Sequence, residues 1–266
     1  MSGEGLQLTD VQVVKAGTTV LSGVTTAALS GQVTAVVGPN GSGKSTLLQA
    51  MAGLQEFTGS VTFDGSGLRE YPRRTRVRKL AYVEQSGPHA TDARVREIVE
   101  LGRLAGRGLF VHPDDRDQQV ITRALTDADV VGIAERSFST LSGGEQQRTH
   151  VARALAQDAG FIVLDEPTNH LDLPHQHRLL RLLRHFAHEE HHGAGVLLAL
   201  HDLELAARYC DRVLVLDHGR LVAAGTPSEV LQPRLLAEVF RIDAELVTSP
   251  RGAVLLECLG EIDGGE

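Results

Sequence analysis

The chain has 266 residues and 42% of them are hydrophobic, which suffices for one large domain with its own core. Its formal net charge of -8 predicts no general affinity for nucleic acid. The two cysteines, Cys210 and Cys258, lack CxxC spacing, which argues against a disulfide framework or a zinc site and favours a reducing cytoplasm.

The first third of the chain predicts strands around a glycine-rich turn. Residues 6–14 and 20–29 read as strands of an antiparallel lobe, with turn signals at Gly17 and Gly23. The apolar run 33–37 leads through the glycine-rich turn into a helix, and residues 59–65 and 81–85 predict two further short strands. The second of these strands ends at Gln85.

The spacing of apolar residues then becomes helical. Residues 95–104 and 115–127 predict helices, and with a helix over 142–156 they form a mostly helical insert. Apolar strands over 161–164, 195–200 and 212–216, separated by helices, indicate a parallel sheet. A turn at 217–220, a helix ending near Phe240 and a hairpin around 249–252 follow.

We therefore expect a single α/β domain over 1–266. Its core takes residues 1–86 and 159–240, its helical subdomain takes 87–158, and a hairpin extension takes 241–266. No signal sequence begins the chain, and no stretch approaches the roughly 18 apolar residues of a membrane-spanning helix. If the protein works at a membrane, a partner must supply the spans.

The glycine-rich turn is a candidate phosphate loop. Its glycines allow the backbone to bend until several N–H groups point at one phosphate chain, Lys44 can reach the outer phosphates, and the Ser45 hydroxyl can ligate Mg²⁺. The predicted nucleotide-binding residues of this segment are Gly38, Pro39, Asn40, Gly41, Ser42, Gly43, Lys44, Ser45 and Thr46.

Three of the four later segments have plainer interpretations when each is taken alone. Ser142 and Glu145 could form a capping box at the start of a helix. Asp165 and Glu166 follow a buried strand, and most such acids begin a solvated loop. His201 is one of twelve histidines.

Taken together and in order, the segments resemble the ATP-binding cassette (ABC) family. The resemblance rests on the phosphate loop, Gln85, the run LSGGEQQR over 141–148, the acid pair Asp165 and Glu166, and His201. It extends over about residues 6–260. It implies a P-loop NTPase of the α/β class, an antiparallel β lobe, an inserted α-helical subdomain, and ATP hydrolysis.

Phosphoryl transfer to water requires the γ-phosphate to be held, its charge balanced and the water aimed. Lys44 and the loop amides would balance the charge, and Ser45, Gln85 and Asp165 would hold Mg²⁺. Glu166 is the candidate general base. In the ABC family, the histidine that corresponds to His201 contacts the γ-phosphate.

The resemblance also implies a homodimer with two ATP molecules between head-to-tail subunits. In the family, Ser142, Gly143 and Gly144, with Glu145 in the same segment, cap the γ-phosphate bound by the opposite subunit. Asp172 matches the acid of the loop that crosses the dimer interface. It could equally be the N-cap of the helix that Pro174 opens.

The aromatic residue on which family members commonly stack adenine is missing. The corresponding position is near Lys15, and no aromatic residue occurs between Met1 and Val37. The alkyl chain of Lys15 could lie along the base.

Within the family, the run from Thr168 to Gln176 and the segment around His201 look like the ATPase subunits of bacterial importers for iron-siderophores, haem and cobalamin. This resemblance implies permease and substrate-binding protein partners and a place at the cytoplasmic face of the membrane. An exporter ATPase or a soluble ATPase of iron-sulfur cluster assembly are the alternatives. The tandem cassette proteins of the ribosome need two cassettes, and this chain has one.

Two charged segments receive no function. His185, His188, His191 and His192 lie near a predicted helix end and lack accompanying cysteines, so a solvated helix end is favoured over a metal site. A basic run precedes Gln85, and a solvated face is favoured over contact with lipid headgroups or a permease. The run comprises Arg69, Arg73, Arg74, Arg76, Arg78 and Lys79.

Overall fold

A computed structural model describes residues 5–84, 91–104, 114–188 and 193–262 of the chain. The strands in chain order are β1 (Gly5–Lys15), β2 (Thr18–Leu29), β3 (Val33–Val37), β4 (Thr58–Phe63), β5 (Ser66–Gly67), β6 (Leu80–Val83), β7 (Phe161–Leu164), β8 (Gly195–Ala199), β9 (Arg212–Asp217), β10 (Arg220–Gly225), β11 (Ile242–Thr248) and β12 (Val254–Glu261). The helices are α1 (Lys44–Met51), α2 (Arg73–Lys79), α3 (Val95–Leu104), α4 (Asp115–Asp127), α5 (Gly143–Ala156), α6 (Leu173–His188), α7 (Leu203–Tyr209), α8 (Pro227–Val230) and α9 (Pro233–Leu235).

The N-terminal strands form the predicted antiparallel lobe, a four-stranded sheet in the order β2-β1-β4-β5. In β1, the apolar side chains Leu6, Leu8, Val11 and Val13 are buried while polar residues between them are not, so one face of the sheet supplies the core. Register shifts between β1 and β2 at these positions mark bulges that bend the pair.

A six-stranded sheet in the order β10-β9-β3-β8-β7-β6 forms the centre of the molecule. Its strands are parallel except for β10, which forms a hairpin with β9. Every residue of β3, β7 and β8 is buried, as expected when both faces of a parallel sheet are covered. The predicted parallel sheet is confirmed.

Helices cover the two faces of this sheet. On one face, Leu47 and Leu48 of α1 pack in an apolar cluster with Val36 of β3 and with the antiparallel lobe. On the other face, residues of α6 and α7 pack against Ala35 of the same strand, and Leu180 of α6 is almost inaccessible to solvent. The carboxyl ends of the parallel strands therefore remain open at one edge.

The helices α3, α4 and α5 have an apolar core of their own, which includes Val99, Ile121, Leu125 and Phe138. The structure reproduces the predicted bounds 95–104 and 115–127, because periodic apolar residues and the Asp114 capping box define these helices locally. The exact limits of the core, the helical subdomain and the extension stay predictions.

Two differences from the sequence prediction concern helices. The basic run contains a helix, α2, that was not predicted, and none of its residues is buried. The prediction of a single helix ending near Phe240 is wrong, because the structure has two helices there. The first, α8, ends before Gln232, and the second starts at Pro233, since proline has no N–H to extend the preceding helix. This second helix continues as a π-helical turn, Leu236–Phe240, and then the predicted terminal hairpin β11-β12 follows. In the described ranges, no helix is both long and apolar enough to cross a membrane.

Candidate nucleotide-binding site

The glycine-rich loop joins β3 to α1 at the open edge of the central sheet. Gly38 has a φ of 154°, and a Cβ atom there would lie 2.1 Å from the Leu216 carbonyl oxygen of β9. Gly43, with a φ of 103°, lies against Leu21 of β2. Only glycine fits these two positions, so the loop is pressed between the two sheets with α1 directly behind it.

Lys44 is buried at the start of α1 and folds back over the loop. Its Nζ donates to the carbonyl oxygens of Gly38 (2.9 Å) and Pro39 (3.2 Å). Burial lowers the pKa of Lys44, and the charges of Glu166 and Asp165 oppose that shift. The Ser42 hydroxyl, also buried, has no partner in the described part of the chain. A loop with a held cation and an unsatisfied donor fits a phosphate chain.

Ser45 and Asp165 meet although 120 residues separate them. The Ser45 hydroxyl donates to Asp165 Oδ1 at 3.0 Å, and the Asp165 backbone N–H donates to the Val83 carbonyl oxygen at 2.9 Å. Burial raises the pKa of Asp165, and the hydrogen bond from Ser45 opposes that shift. Hydroxyl and carboxylate oxygens are ligands that Mg²⁺ prefers, so this pair fits the ion. Gln85, the third predicted ligand, lies outside the described residues.

Glu166 is buried and held from two sides. Its φ of 50° turns the side chain away from the line of β7. Asn169 Nδ2 donates to Glu166 Oε2 at 2.7 Å, and the imidazole Nε2 of His201 contacts Glu166 Oε1. The candidate general base Glu166 and His201 are therefore in contact. Asn169 was not assigned to the site, although its position three residues after Glu166, within the same turn, was a usable signal.

Ser142 is the N-cap of α5, as the capping-box interpretation predicts. Its hydroxyl accepts from the Glu145 N–H, and Glu145 Oε2 accepts from the Ser142 N–H at 2.8 Å. That backbone hydrogen bond lowers the pKa of Glu145. The cap leaves the helix N-terminus, with Gly143 and Gly144, facing an open cavity of ≈ 470 Å³.

This cavity collects residues from two parts of the chain. It is lined by Ser142, Gly143, Gly144, Glu145, Arg148, His170, Leu171, Asp172 and His175. Asp172 accepts from the His175 N–H at 3.0 Å and so caps α6, which lowers the pKa of Asp172. Arg148, His170 and His175 were not assigned; the position of Arg148 one helical turn after Gly144 was the available signal.

The predicted site residues thus fall into two groups. The phosphate loop, Asp165, Glu166 and His201 meet at the carboxyl edge of the sheet. Ser142, Gly143, Gly144 and Asp172 line the separate cavity, to which none of the described loop residues 38–46 contributes. One chain therefore does not bring the two groups into a single site.

Lys15 lies at the end of β1, near α1. Its Nζ donates to Gln49 Oε1 at 3.3 Å in an exposed position. Gln49 is one helical turn beyond Ser45 on α1. The contact of Lys15 with adenine stays a prediction.

The histidine segment shows a structural contact. His188, at the end of α6, places Nε2 at 2.9 Å from Asp211 Oδ2, so it is not simply solvated as predicted. His191 and His192 lie outside the described residues. No group of three metal-ligating side chains occurs within residues 5–84, 91–104, 114–188 and 193–262.

Comparisons with known proteins agree with this geometry. The model of the ABC transporter family matches residues 21–169. A hemin import ATP-binding protein, HmuV, of Pseudomonas entomophila is 43% identical over 261 residues, covering 94% of this chain and 98% of that protein. A cobalamin import ATP-binding protein, BtuD, of Halobacterium salinarum is 41% identical, covering 94% of this chain and 62% of that protein.

Two solved structures share the fold. An inward-facing metal-chelate type ABC transporter matches with a TM-score of 0.82 and 24% identity, covering 98% of this chain and 99% of that chain. A dimeric bacterial ABC transporter cassette, MJ0796, matches with a TM-score of 0.75 and 27% identity, covering 84% of this chain and 98% of that chain. With its phosphate loop, signature helix and acid pair in this arrangement, the chain belongs to the ABC transporter family of ATP-binding proteins.

Proposed function

We propose that the chain is the ATP-hydrolysing subunit of a bacterial importer for haem, cobalamin or an iron-siderophore. The observation that carries the proposal is the meeting of the phosphate loop, the Ser45–Asp165 pair and the Glu166–His201 pair at one edge of the sheet. The importer assignment is supported by the hemin and cobalamin import relatives, whose similarity extends over 94% of the chain.

The residues at this edge divide the chemistry among them. Lys44 and the backbone N–H groups of residues 41–45 would hold the phosphates, and Ser45 and Asp165, with Gln85 from outside the described residues, would hold Mg²⁺. The ion, when bound, neutralises charge on the β- and γ-phosphates. Glu166 orients and deprotonates the attacking water, and His201 contacts the γ-phosphate and holds the Glu166 carboxylate in place.

Two copies of the chain form the working unit. The signature residues Ser142, Gly143, Gly144 and Glu145 lie in a cavity apart from the phosphate loop, so a second copy must bring them to the first copy's nucleotide. The positive end of α5 suits a phosphate. The dimeric cassette MJ0796 supports this assembly. Asp172 lies at the edge of the same cavity, where it would face the partner.

The membrane partners are a permease and a substrate-binding protein, and the ATPase acts at the cytoplasmic face as a peripheral subunit. The absence of a spanning helix in the described ranges is consistent with that place. We assign permease docking to residues 87–103, of which 91–103 are described. In this segment Leu101 of α3 is 55% exposed while Val95 and Val99 are buried. The helix therefore presents an apolar side chain to a docking partner.

Replacing Lys44 by Ala tests the ATP site. The variant should lose ATP affinity by at least about ten-fold, since a charge-assisted contact to phosphate is worth about 1.5–3 kcal/mol. Binding of ATP measured by calorimetry gives the result. Lys79→Ala, which removes a partly exposed lysine paired with Asp64 and outside the predicted site, is the control. Equal affinity in the Lys44 variant and the control would contradict the phosphate-loop assignment.

Replacing Leu101 by Glu tests the importer assignment. A charge on the exposed face of α3 should prevent permease docking without disturbing the nucleotide-binding site. The isolated subunit should therefore keep its ATPase rate, while cells should lose uptake of the iron complex or cobalamin. Val222→Glu, at a 47% exposed position in β10, is the control. Normal uptake with Leu101→Glu, or loss of uptake in both variants, would contradict docking at this face.

A further inference from the structure

Tyr82 in β6 carries a buried hydroxyl without a hydrogen-bond partner in the described part of the chain. The other two of the three tyrosines have partners. Tyr71 donates to the Phe63 carbonyl oxygen at 3.2 Å, and the Tyr209 hydroxyl lies 2.8 Å from His177 Nδ1. Buried hydroxyls in folded proteins are almost always satisfied, by protein or by bound water. Tyr82 is one of the exceptions in the described part of the chain and needs an explanation.

The position of Tyr82 relates it to the nucleotide site. The strands β6 and β7 are parallel, and Tyr82 pairs with Val163. Asp165 is two residues beyond Val163 and so continues along the same face. Tyr82 and Val163 pack in the apolar cluster that contains Leu47 and Leu48, which places this face under α1.

Polar side chains of α1 complete the surroundings of the hydroxyl. Ser45 and Gln49 are one turn apart and share a face of the helix. Ser45 is hydrogen-bonded to Asp165, and the Oε1 of Gln49 accepts from Lys15. The Gln49 side chain lies close enough to the Tyr82 phenol to affect its pKa, but it does not satisfy the hydroxyl, which has no hydrogen-bond partner in the described part of the chain.

The Tyr82 phenol is held in its protonated form. Burial raises the pKa of Tyr82, the nearby charge of Asp165 adds to this shift, and the Gln49 side chain only partly opposes it. A protonated phenol is a hydrogen-bond donor, and this one has no acceptor in the described part of the chain. A molecule bound beside Asp165 would supply such an acceptor.

We propose that Tyr82 is a positioning residue of the magnesium site: its hydroxyl donates to a water molecule held against Asp165 when Mg²⁺ and ATP are bound. The inference rests on the proposed ATPase function and deepens it. A water in the hydration shell of the ion satisfies the phenolic proton, and the hydrogen bond fixes the water that joins the ion to Asp165.

The dependence of ATP binding on Mg²⁺ tests the proposal. In Tyr82→Phe, the Mg²⁺ concentration that half-saturates ATP binding should rise about ten-fold, the lower end of the loss seen when a group that orients a metal ligand is removed. ATP affinity in EDTA should be unchanged. Tyr71→Phe, which removes a hydroxyl bonded to a backbone carbonyl, should leave both values as in the wild type.

Thermal unfolding separates this role from a structural one. Because the Tyr82 hydroxyl has no partner in the described part of the ligand-free chain, Tyr82→Phe should not lower the melting temperature without nucleotide, and only the increase caused by Mg²⁺ and ATP together should shrink. If Tyr82→Phe melts well below the wild type without ligand, the hydroxyl has a structural partner, such as Gln49, and the proposal fails.

Fluorine NMR of protein labelled with 3-fluorotyrosine provides a direct probe, since the chain has three tyrosines. Addition of Mg²⁺ to the ATP-bound protein should shift the resonance that is absent in Tyr82→Phe. If that resonance does not move and half-saturation by Mg²⁺ is the same in both tyrosine variants, the positioning role is wrong while the ATP site stands. If the wild type does not bind ATP, the proposed function itself fails.

Discussion

At the scale of single residues, the site is organised by buried charges that compensate one another. Lys44, Asp165 and Glu166 are all buried within the same edge of the sheet. Burial acts against the charged form of Lys44 and of Asp165, so it shifts both pKa values, and the opposite charges counter it. A bound nucleotide would bring negative charge and its metal ion positive charge. Lys44 and the two carboxylates could then pair with these charges instead of with one another.

Glu166→Gln is predicted to separate ATP binding from hydrolysis. Glutamine keeps the shape and can still accept from Asn169, but it cannot take a proton from water, so the hydrolysis rate should fall about 10²- to 10⁴-fold. Steady-state phosphate release and ATP calorimetry on the same sample measure the two properties. The control is Glu204→Gln, at the first turn of α7, which should hydrolyse normally. A wild-type rate in Glu166→Gln would remove Glu166 from the mechanism.

Base recognition is the least defined property at this scale. The position predicted to correspond to the family's adenine-stacking aromatic residue is near Lys15, whose Nζ donates to Gln49 Oε1 at 3.3 Å. An alkyl chain held in this way offers the base an apolar surface but no stacking partner. Selectivity for adenine is therefore expected to be weaker than with an aromatic residue.

At the scale of elements, the helices of the insert are fixed by identifiable polar contacts. The start of α5 has the Ser142–Glu145 capping box, and the start of α4 has a capping box between Asp114 and Asp117. Arg103, in the last turn of α3, reaches across to both neighbouring helices. These contacts hold the signature segment at a defined angle to the rest of the insert.

The cap of α5 should give stability a specific pH dependence. Because the pKa of Glu145 is below its ordinary value of 4.5 in the folded protein, its contribution is complete well above pH 4.5 and is lost as the pH falls through the folded value. In Glu145→Gln the cap survives without titrating, so urea midpoints should decline less steeply below pH 4.5 than in the wild type. Parallel curves for the two proteins would show that the cap does not titrate.

Arg103 is predicted to contribute more to the stability of the helical insert than any other single polar side chain described there. Its Nε lies 3.0 Å from Asp117 Oδ1, whose side chain is 1% exposed, and its Nη1 donates to the Ala156 carbonyl oxygen at 3.2 Å. Removing one partner of a buried ion pair leaves a buried charge, so Arg103→Ala should cost about 3 kcal/mol of unfolding free energy.

Chemical denaturation measures this loss. Arg234→Ala removes a cation from an exposed ion pair with Glu238 and should change stability by less than about 1 kcal/mol. A similar loss in the two variants would mean that the Asp117 carboxylate finds another partner or becomes protonated once Arg103 is removed.

At the scale of the whole molecule, the two halves of the site lie apart within one chain. The phosphate loop occupies the edge of the central sheet, and the signature cavity lies between α5 and the residues that lead into α6. In the proposed head-to-tail pairing of two copies, each cavity would lie opposite a phosphate loop, and both sites would be completed. The pairing also requires both subunits to contribute to every ATP molecule.

Mixing two inactive variants tests the shared site. A heterodimer of a Lys44→Ala chain and a Ser142→Arg chain has both lesions in one composite site and neither in the other. ATPase activity should therefore recover partially on mixing, up to about one quarter of the wild-type rate if the chains pair at random and one intact site suffices. Each variant alone is the control. No recovery, with heterodimers shown by mass spectrometry, would contradict independent shared sites.

Local order along the chain was largely determined by the sequence. The strand, glycine-rich turn and helix around Lys44 follow from neighbouring residues, and so do the limits of α3 and α4, because apolar periodicity and capping residues act over one or two turns. The chemistry of the separate motifs was predictable for the same reason, since each is a short run of specific residue types.

Only the tertiary structure decided which motifs touch. The sheet order β3-β8-β7-β6 places the strand that leads to His201 between the strands that lead to Lys44 and Glu166, and this order depends on pairings between distant segments that no local pattern encodes. The Glu166–His201 contact follows from this order. The separate signature cavity and the unpartnered hydroxyl of Tyr82 in the described structure likewise depend on how distant segments pack. Packing across the sheet thus sets the geometry of a site whose residues the sequence had already named.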